Sequence, residues 1–151
     1  MTLPAPQDPD FAARVHARFA AQAFMTHLGA RIEDVAPGRV VIVLPVTEAL
    51  AQQHGFVHAG ACWSIADSAA GFAAQSLMPL DREVLTVELK INLLRPASGR
   101  IVRATGTVRR AGRRLTVCES SVTAHDDASC VAGGREVAFA TGTFMAVAPP
   151  G

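Results

Sequence analysis

The chain predicts an α+β fold in which one long apolar helix packs against a continuous antiparallel sheet. Between Gln52 and Met78 the sequence QQHGFVHAGACWSIADSAAGFAAQSLM passes from a polar, glycine-bearing loop into a run of small and apolar residues. From Ala59 to Met78 its one carboxylate is Asp67, and it holds no lysine or arginine. A helix apolar on nearly every face is a buried helix. Two strand-like segments precede this stretch and four follow it, without the helix–strand alternation of a doubly wound sheet.

At 151 residues the chain fits one domain with a real core, expected over 10–148 behind a flexible, Pro-rich 1–9. Asp10 is placed to N-cap a helix over roughly 11–27, with Phe11, Val15 and Phe19 as its buried stripe and Gly29 as its stop. Arg31–Val35 and Arg39–Val46 flank Ala36-Pro37-Gly38, a hairpin signal, and Pro45 limits how far the second strand pairs. Pro79 closes the long helix. Val84–Leu94 then alternates strictly, putting Leu85, Val87, Leu89, Ile91 and Leu93 on one face and Thr86, Glu88, Lys90 and Asn92 on the other. Arg100–Arg109 and Leu115–Ala124 are joined by the turn Arg110-Ala111-Gly112-Arg113. His125–Gly134 reads as a polar loop and Glu136–Val147 as the last strand. One helix cannot cover both faces of a sheet of five to six long strands, and bare strand edges invite pairing, so the chain is expected to dimerise.

Composition narrows the function. With 14 Lys+Arg against 13 Asp+Glu there is no electrostatic case for nucleic acid or an anionic membrane surface. The opening MTLPAPQDPD lacks the pattern of a signal peptide, and no stretch reads as a membrane span. Cys62, Cys118 and Cys130, odd in number and widely spaced, read as reduced thiols of a cytoplasmic protein.

Asp67 is the first candidate for chemistry. Its helical neighbours Trp63, Ser64, Ala70 and Gly71 leave room beside the carboxylate, while a purely structural reading has it bonded to Ser64, Ser68 or a loop amide. The second is the loop-to-helix junction from His54 to Gly60, where the free N–H groups of Ala59 and Gly60 could meet a developing oxyanion. Asp67 lies eight residues beyond Ala59, or about 12 Å along a helix. One small carbonyl cannot touch both on the same helix, so two antiparallel helices across a dimer axis are expected to share the site. His54 and His58 form an HxxxH spacing without the zinc-protease Glu, and Cys62-Trp63-Ser64 lies inside the apolar helix, where the thiol reads as packing. No nucleophile elbow or phosphate loop is found. Arg109, Arg110, Arg113 and Arg114 surround a hairpin turn; they are either a solvated tip or, with Lys90 and Arg95, a patch for the phosphates of a nucleotide-bearing ligand.

Three motifs in order, QxHGxVHAG with Asp67 eight residues beyond Ala59, TVELKINLLRPA, and the GTVxRxGR hairpin, resemble the hotdog-fold thioesterases, in particular the PaaI-like acyl-CoA thioesterases, over roughly residues 25–145. That resemblance implies a helix wrapped by a curved sheet, homodimers often paired into homotetramers, and hydrolysis of acyl-CoA without a metal or organic cofactor. It makes Asp67 the general base or nucleophile and gives the Ala59 and Gly60 amides of the partner the carbonyl oxygen. Gln52 and His58 would position the thioester or water, and Thr86 would hydrogen-bond near Asp67. Leu94, Arg95, Arg110, Gly112 and Arg113 match segments that hold coenzyme A, and Trp63, Phe72 and Leu77 are expected to shape the acyl pocket. The chain departs from the family pattern in carrying Ala59 for glycine and Gln52 for asparagine. A non-catalytic acyl-CoA sensor is the alternative; a hydratase would need an Asp/His pair in another context.

Overall fold

A computed structural model describes residues 3–127 and 133–149. Six antiparallel strands form one sheet in the order β1-β2-β4-β5-β6-β3: β1 Arg31–Ala36, β2 Arg39–Pro45, β3 Glu83–Leu93, β4 Ile101–Ala111, β5 Leu115–His125 and β6 Arg135–Val147. The long helix α3, Ala59–Gln75, lies across the inner face against β2, β4 and β5. The expected α+β architecture is therefore present. Cys130 and part of the 125–134 loop lie outside the described residues. Among those residues, no helix is long and apolar enough to cross a membrane.

Small residues set the helix–sheet distance. Ala66, Ala69, Ala70, Ala73 and Ala74 of α3 are fully buried. A methyl group built on Gly106 of β4 would lie 2.2 Å from the Ala69 carbonyl carbon and 2.4 Å from the Ala70 nitrogen. The helix backbone thus rests directly on the strand, and no side chain fits between them.

The N-terminal region departs from its sequence reading. Instead of one helix over 11–27, α1 spans Phe11–Ala20 and α2 spans Ala23–Leu28, with Gln22 extended between them. No glycine or proline marks this break. The stripe Phe11, Val15, Phe19 would continue through Gln22 and Thr26, which are polar; re-starting the helix re-phases it so that Met25 is buried instead. Asp10 makes no side-chain cap; Asp8 accepts the Asp10 N–H at 2.9 Å and pairs with Arg14. Arg14 in turn donates to the carbonyls of Gln75, Met78 and Pro79 at 2.7–3.0 Å, satisfying groups where α3 ends. Helix α3 therefore stops at Gln75, four residues before Pro79. Gln7 also donates to the Leu77 carbonyl at 3.3 Å. Gly29 closes α2 in the left-handed conformation (φ 76°), as its position predicts.

Strand β3 also differs. Its register against β6 slips between Thr86 and Glu88, leaving Val87 as a bulge. The slip reverses the alternation: Thr86 pairs with buried Phe144, while Leu89, Ile91 and Leu93 pair with buried Gly142, Ala140 and Ala138. Thr86 therefore faces α3, and Leu85 is left 56% exposed on the outer side. Gly142 accommodates the bulge, because a methyl there would meet the Glu88 carbonyl oxygen at 2.8 Å.

Candidate active site

Helix α3 is not covered all round. Along its N-terminal half Gly60 and Trp63 are exposed and Ser64 and Asp67 are half-buried, a stripe at i, i+3, i+4 and i+7. This open stripe lies on the side of β3, the long edge strand whose outer backbone row has no partner among the described residues.

Asp67 sits in that stripe. The Thr86 hydroxyl donates to its Oδ1 at 2.8 Å, across the bulge that turns Thr86 inward. Burial holds the carboxyl above its ordinary pKa, and the Thr86 hydrogen bond works in the opposite direction by favouring the ionised form. The helix serines are engaged elsewhere: Ser64 donates to the Gly60 carbonyl at 2.7 Å, and Ser68 to Gln22 Oε1 at 3.4 Å. Asp67 is thus a partly desolvated carboxylate held by one hydroxyl and open on its other side.

The helix N-terminus forms a second centre. His58 is the N-cap, and its Nδ1 accepts the Gly60 N–H at 2.9 Å. A methyl on Gly60 would lie 3.0 Å from that nitrogen, so with any larger residue there the His58 ring would have to shift by a few tenths of an ångström. The Gly60 amide is therefore engaged, whereas Ala59 N–H has no acceptor among the described residues. Gln52 shapes the approach: its carbonyl accepts the Gly55 N–H, its N–H donates to Phe56, and its side-chain oxygen accepts the His54 N–H. Gln52, His58, Ala59, Leu94 and Arg95 line one cavity of about 570 Å³, with Cys62 and Val137 deeper in its wall. Burial pushes the Cys62 thiol up to about 11, which leaves it a packing group and a poor nucleophile.

Asp67 and Thr86 do not line that cavity; Asp67 opens into a separate cleft of about 300 Å³ beside Trp63. The structure therefore joins Asp67 to Thr86, and joins Gln52, His58 and Ala59 to Leu94 and Arg95, but does not join the two groups within one chain. The arginine hairpin lies elsewhere again. Leu94 and Arg95 bond to Val137 and the Arg114 carbonyl to Ala146, nine residues apart on β6, or roughly 30 Å at the strand rise. Gly112 and Arg113 line a cavity there with Leu77 and Arg82, and Arg110 is exposed beside it. Of the expected acyl-pocket residues only Trp63 is near Asp67. Phe72 is buried edge-on against Phe19, with ring centroids 5.8 Å apart, and Leu77 belongs to the hairpin end. Gln22 and Phe24, which do reach the Asp67 cleft, carry no sequence signal because the α1–α2 break that delivers them has no local breaker.

Comparison with known proteins places the fold and the family. The thioesterase superfamily model matches residues 54–131, just over half the chain, and so spans the helix N-terminus, Asp67, Thr86 and the arginine hairpin. A thioesterase family protein of Silicibacter pomeroyi is 43% identical and superimposes with a TM-score of 0.86, over 91% of this chain and 98% of that one. The 1,4-dihydroxy-2-naphthoyl-CoA hydrolase of Listeria monocytogenes is 30% identical over 64% of this chain and 78% of its own. The PaaI protein of Escherichia coli is 22% identical and shares the fold, with a TM-score of 0.80 over 93% of this chain and 96% of that one. The six-stranded sheet wrapped on α3 is the hotdog fold, and the chain belongs to the thioesterase superfamily.

Proposed function

We propose that the protein hydrolyses acyl-CoA thioesters to a carboxylic acid and coenzyme A, in a homodimer whose active centres are each built from two chains. The observation that carries this reading is Asp67: a carboxylate raised by burial, held by Thr86, on the one face of α3 that its own sheet leaves open. Antiparallel pairing across the β3 edge would bring the partner's helix N-terminus to that carboxylate. The Ala59 N–H, without an acceptor among the described residues, would then polarise the thioester carbonyl at the positive end of α3. Gly60 could add its amide only by sharing or releasing the His58 cap. Gln52, at the mouth of the same cavity, would align the thioester.

Two routes fit this arrangement. Asp67 either takes a proton from a water that attacks the carbonyl, or attacks the carbonyl itself to give an anhydride that water opens. In both the C–S bond breaks and the thiolate leaves with a proton. Arg95 at one cavity and Arg110, Gly112 and Arg113 at the far end of the sheet would hold coenzyme A phosphates from different chains, a reading that favours paired dimers. The family match and the Listeria hydrolase, a CoA thioesterase by name, support the reaction class.

The test is thiol release from a panel of CoA esters by wild-type and Asp67→Asn protein. Loss of roughly 10²–10⁴ in kcat/KM with an unchanged circular dichroism spectrum is expected. Full turnover by folded Asp67→Asn would overturn the mechanism, and saturable ester binding without thiol release by the wild type would make the protein a sensor.

A further inference from the structure

Gly142 stands in β6, an interior strand paired with both β5 and β3, where glycine offers no side chain to pack and weakens the sheet. Its φ is not positive, so backbone conformation does not call for glycine there. Contact does. A methyl on Gly142 would meet the Glu88 carbonyl oxygen at 2.8 Å, at the residue where β3 resumes pairing after the bulge, and the Phe144 ring at 3.2 Å on its Cε2 side. The opposite edge of that ring, Cε1, faces Gly71 of α3, where a methyl would lie 3.4 Å away. Phe144 is fully buried, and its ring is thus seated between two glycines, one on the sheet and one on the helix.

These contacts run alongside the one that holds Asp67. Thr86 is the cross-strand partner of Phe144, and Gly71 lies one turn beyond Asp67 on the same face of α3. Four helical residues span about 6 Å, and directly opposed strand residues stand about 5 Å apart. The two spacings match closely enough for Phe144 to reach Gly71 while Thr86 reaches Asp67 Oδ1 at 2.8 Å. The match holds only in the bulged register. Without the bulge, the alternation that puts Leu89, Ile91 and Leu93 inward turns Thr86 outward.

We infer that Gly142 and Phe144 are positioning residues for the proposed hydrolysis: Gly142 makes room for the bulge that turns Thr86 inward, and the Phe144 ring, stopped against Gly71, sets how far Thr86 stands from Asp67. Both are buried and act through Thr86. The inference rests on the thioesterase reading for its reaction and on the contacts among β3, β6 and α3 for its geometry.

Two causes act on the Asp67 carboxyl among the described residues, burial and the Thr86 hydroxyl, so its titration reports on that bond. The acid limb of kcat/KM and the carboxyl ¹³C signal that Asp67→Asn removes are followed against pH. The proteins compared are wild type, Thr86→Val, and Gly142→Ala and Phe144→Leu, each alone and combined with Thr86→Val. Val40→Ala, a truncation of a fully buried residue on β2 toward the other side of the sheet, serves as the destabilised control. Both titrations should move to higher pH in Gly142→Ala and in Phe144→Leu, by roughly one pH unit, the scale of one hydrogen bond to a charged group. Each double variant should move no further than Thr86→Val alone, and Val40→Ala should stay with the wild type. An unmoved titration in either single variant, double variants that sum the two shifts, or an equal shift in Val40→Ala would each overturn the inference while leaving thioester hydrolysis standing. If Gly142→Ala does not fold, Phe144→Leu decides, because it keeps an apolar side chain in the core. If the wild type hydrolyses no CoA ester, the functional reading falls and the carbon titration alone decides the positioning.

Discussion

Asp67, the group on which the proposed reaction rests, is a carboxyl on which two opposed effects act. Burial raises its pKa, and the Thr86 hydroxyl, which bonds the ionised form, limits that rise. If the ionised carboxylate is the working form, the acid limb of the kcat/KM profile lies above the ordinary carboxylate value of 3.8. Thr86→Val removes the hydrogen bond that favours ionisation, so the limb should move to still higher pH; a limb that stays in place would deny Thr86 this role. The same shift has a sign for stability. A carboxyl whose folded pKa is raised stabilises the fold below its unfolded value, and that contribution is lost as pH rises through the folded one. Asp67→Asn should therefore raise the Tm at neutral pH and not at pH 3, measured by scanning calorimetry with the wild type alongside. Sequence alone identified Asp67 as the odd group on an apolar helix, but it offered Ser64 and Ser68 as partners and reached Thr86 only through family resemblance.

At the scale of elements, alternation and backbone contact decide what meets what. Strict alternation in β3 sends Thr86 away from Leu89, and the bulge at Val87 brings them to the same face. A bulge is fixed by pairing with β6, some fifty residues away in the chain, so no local pattern in Val84–Leu94 announces it. Gly106 shows the same dependence on a distant element, since only contact with Ala69 and Ala70 makes it intolerant of a side chain. Gly106→Ala would drive a methyl into helix backbone that cannot rotate away. It should destabilise by at least the roughly 1–3 kcal/mol of core overpacking, read from urea unfolding. The hairpin at Pro37-Gly38, the α2 stop at Gly29 and the β4–β5 turn were all legible, because turn chemistry is local. The α1–α2 break was not, because it follows from where the core needs Met25.

For the whole molecule, the proposed reaction requires Asp67 and an Ala59 amide at one centre. They open into different cavities of one chain, and the open α3 stripe and the bare β3 edge share one side. A shared site predicts complementation. Proline is well tolerated at the first position of a helix and carries no N–H, so Ala59→Pro removes the free donor with little harm to α3. Each of Asp67→Asn and Ala59→Pro should be nearly inactive alone. Coexpressed, they form mixed dimers in which one centre has both defects and the other none, restoring about a quarter of wild-type activity on random pairing. No gain over the separate variants would place both groups in one chain's site and refute the shared centre.

Periodicity and turn residues act over a few neighbours, so the α+β class, all six strands to within two residues, the buried helix and its one carboxylate were legible in the sequence. Its motifs also carried the family. Tertiary structure alone decided that Thr86 reaches Asp67, that His58 engages the Gly60 amide and leaves Ala59 free, and that Gln22 and Phe24 wall the cleft. It also separated Arg95 from the arginine hairpin by the length of β6. Each of these depends on register or contact between segments distant in the chain, where one slipped residue turns a side chain to the opposite face.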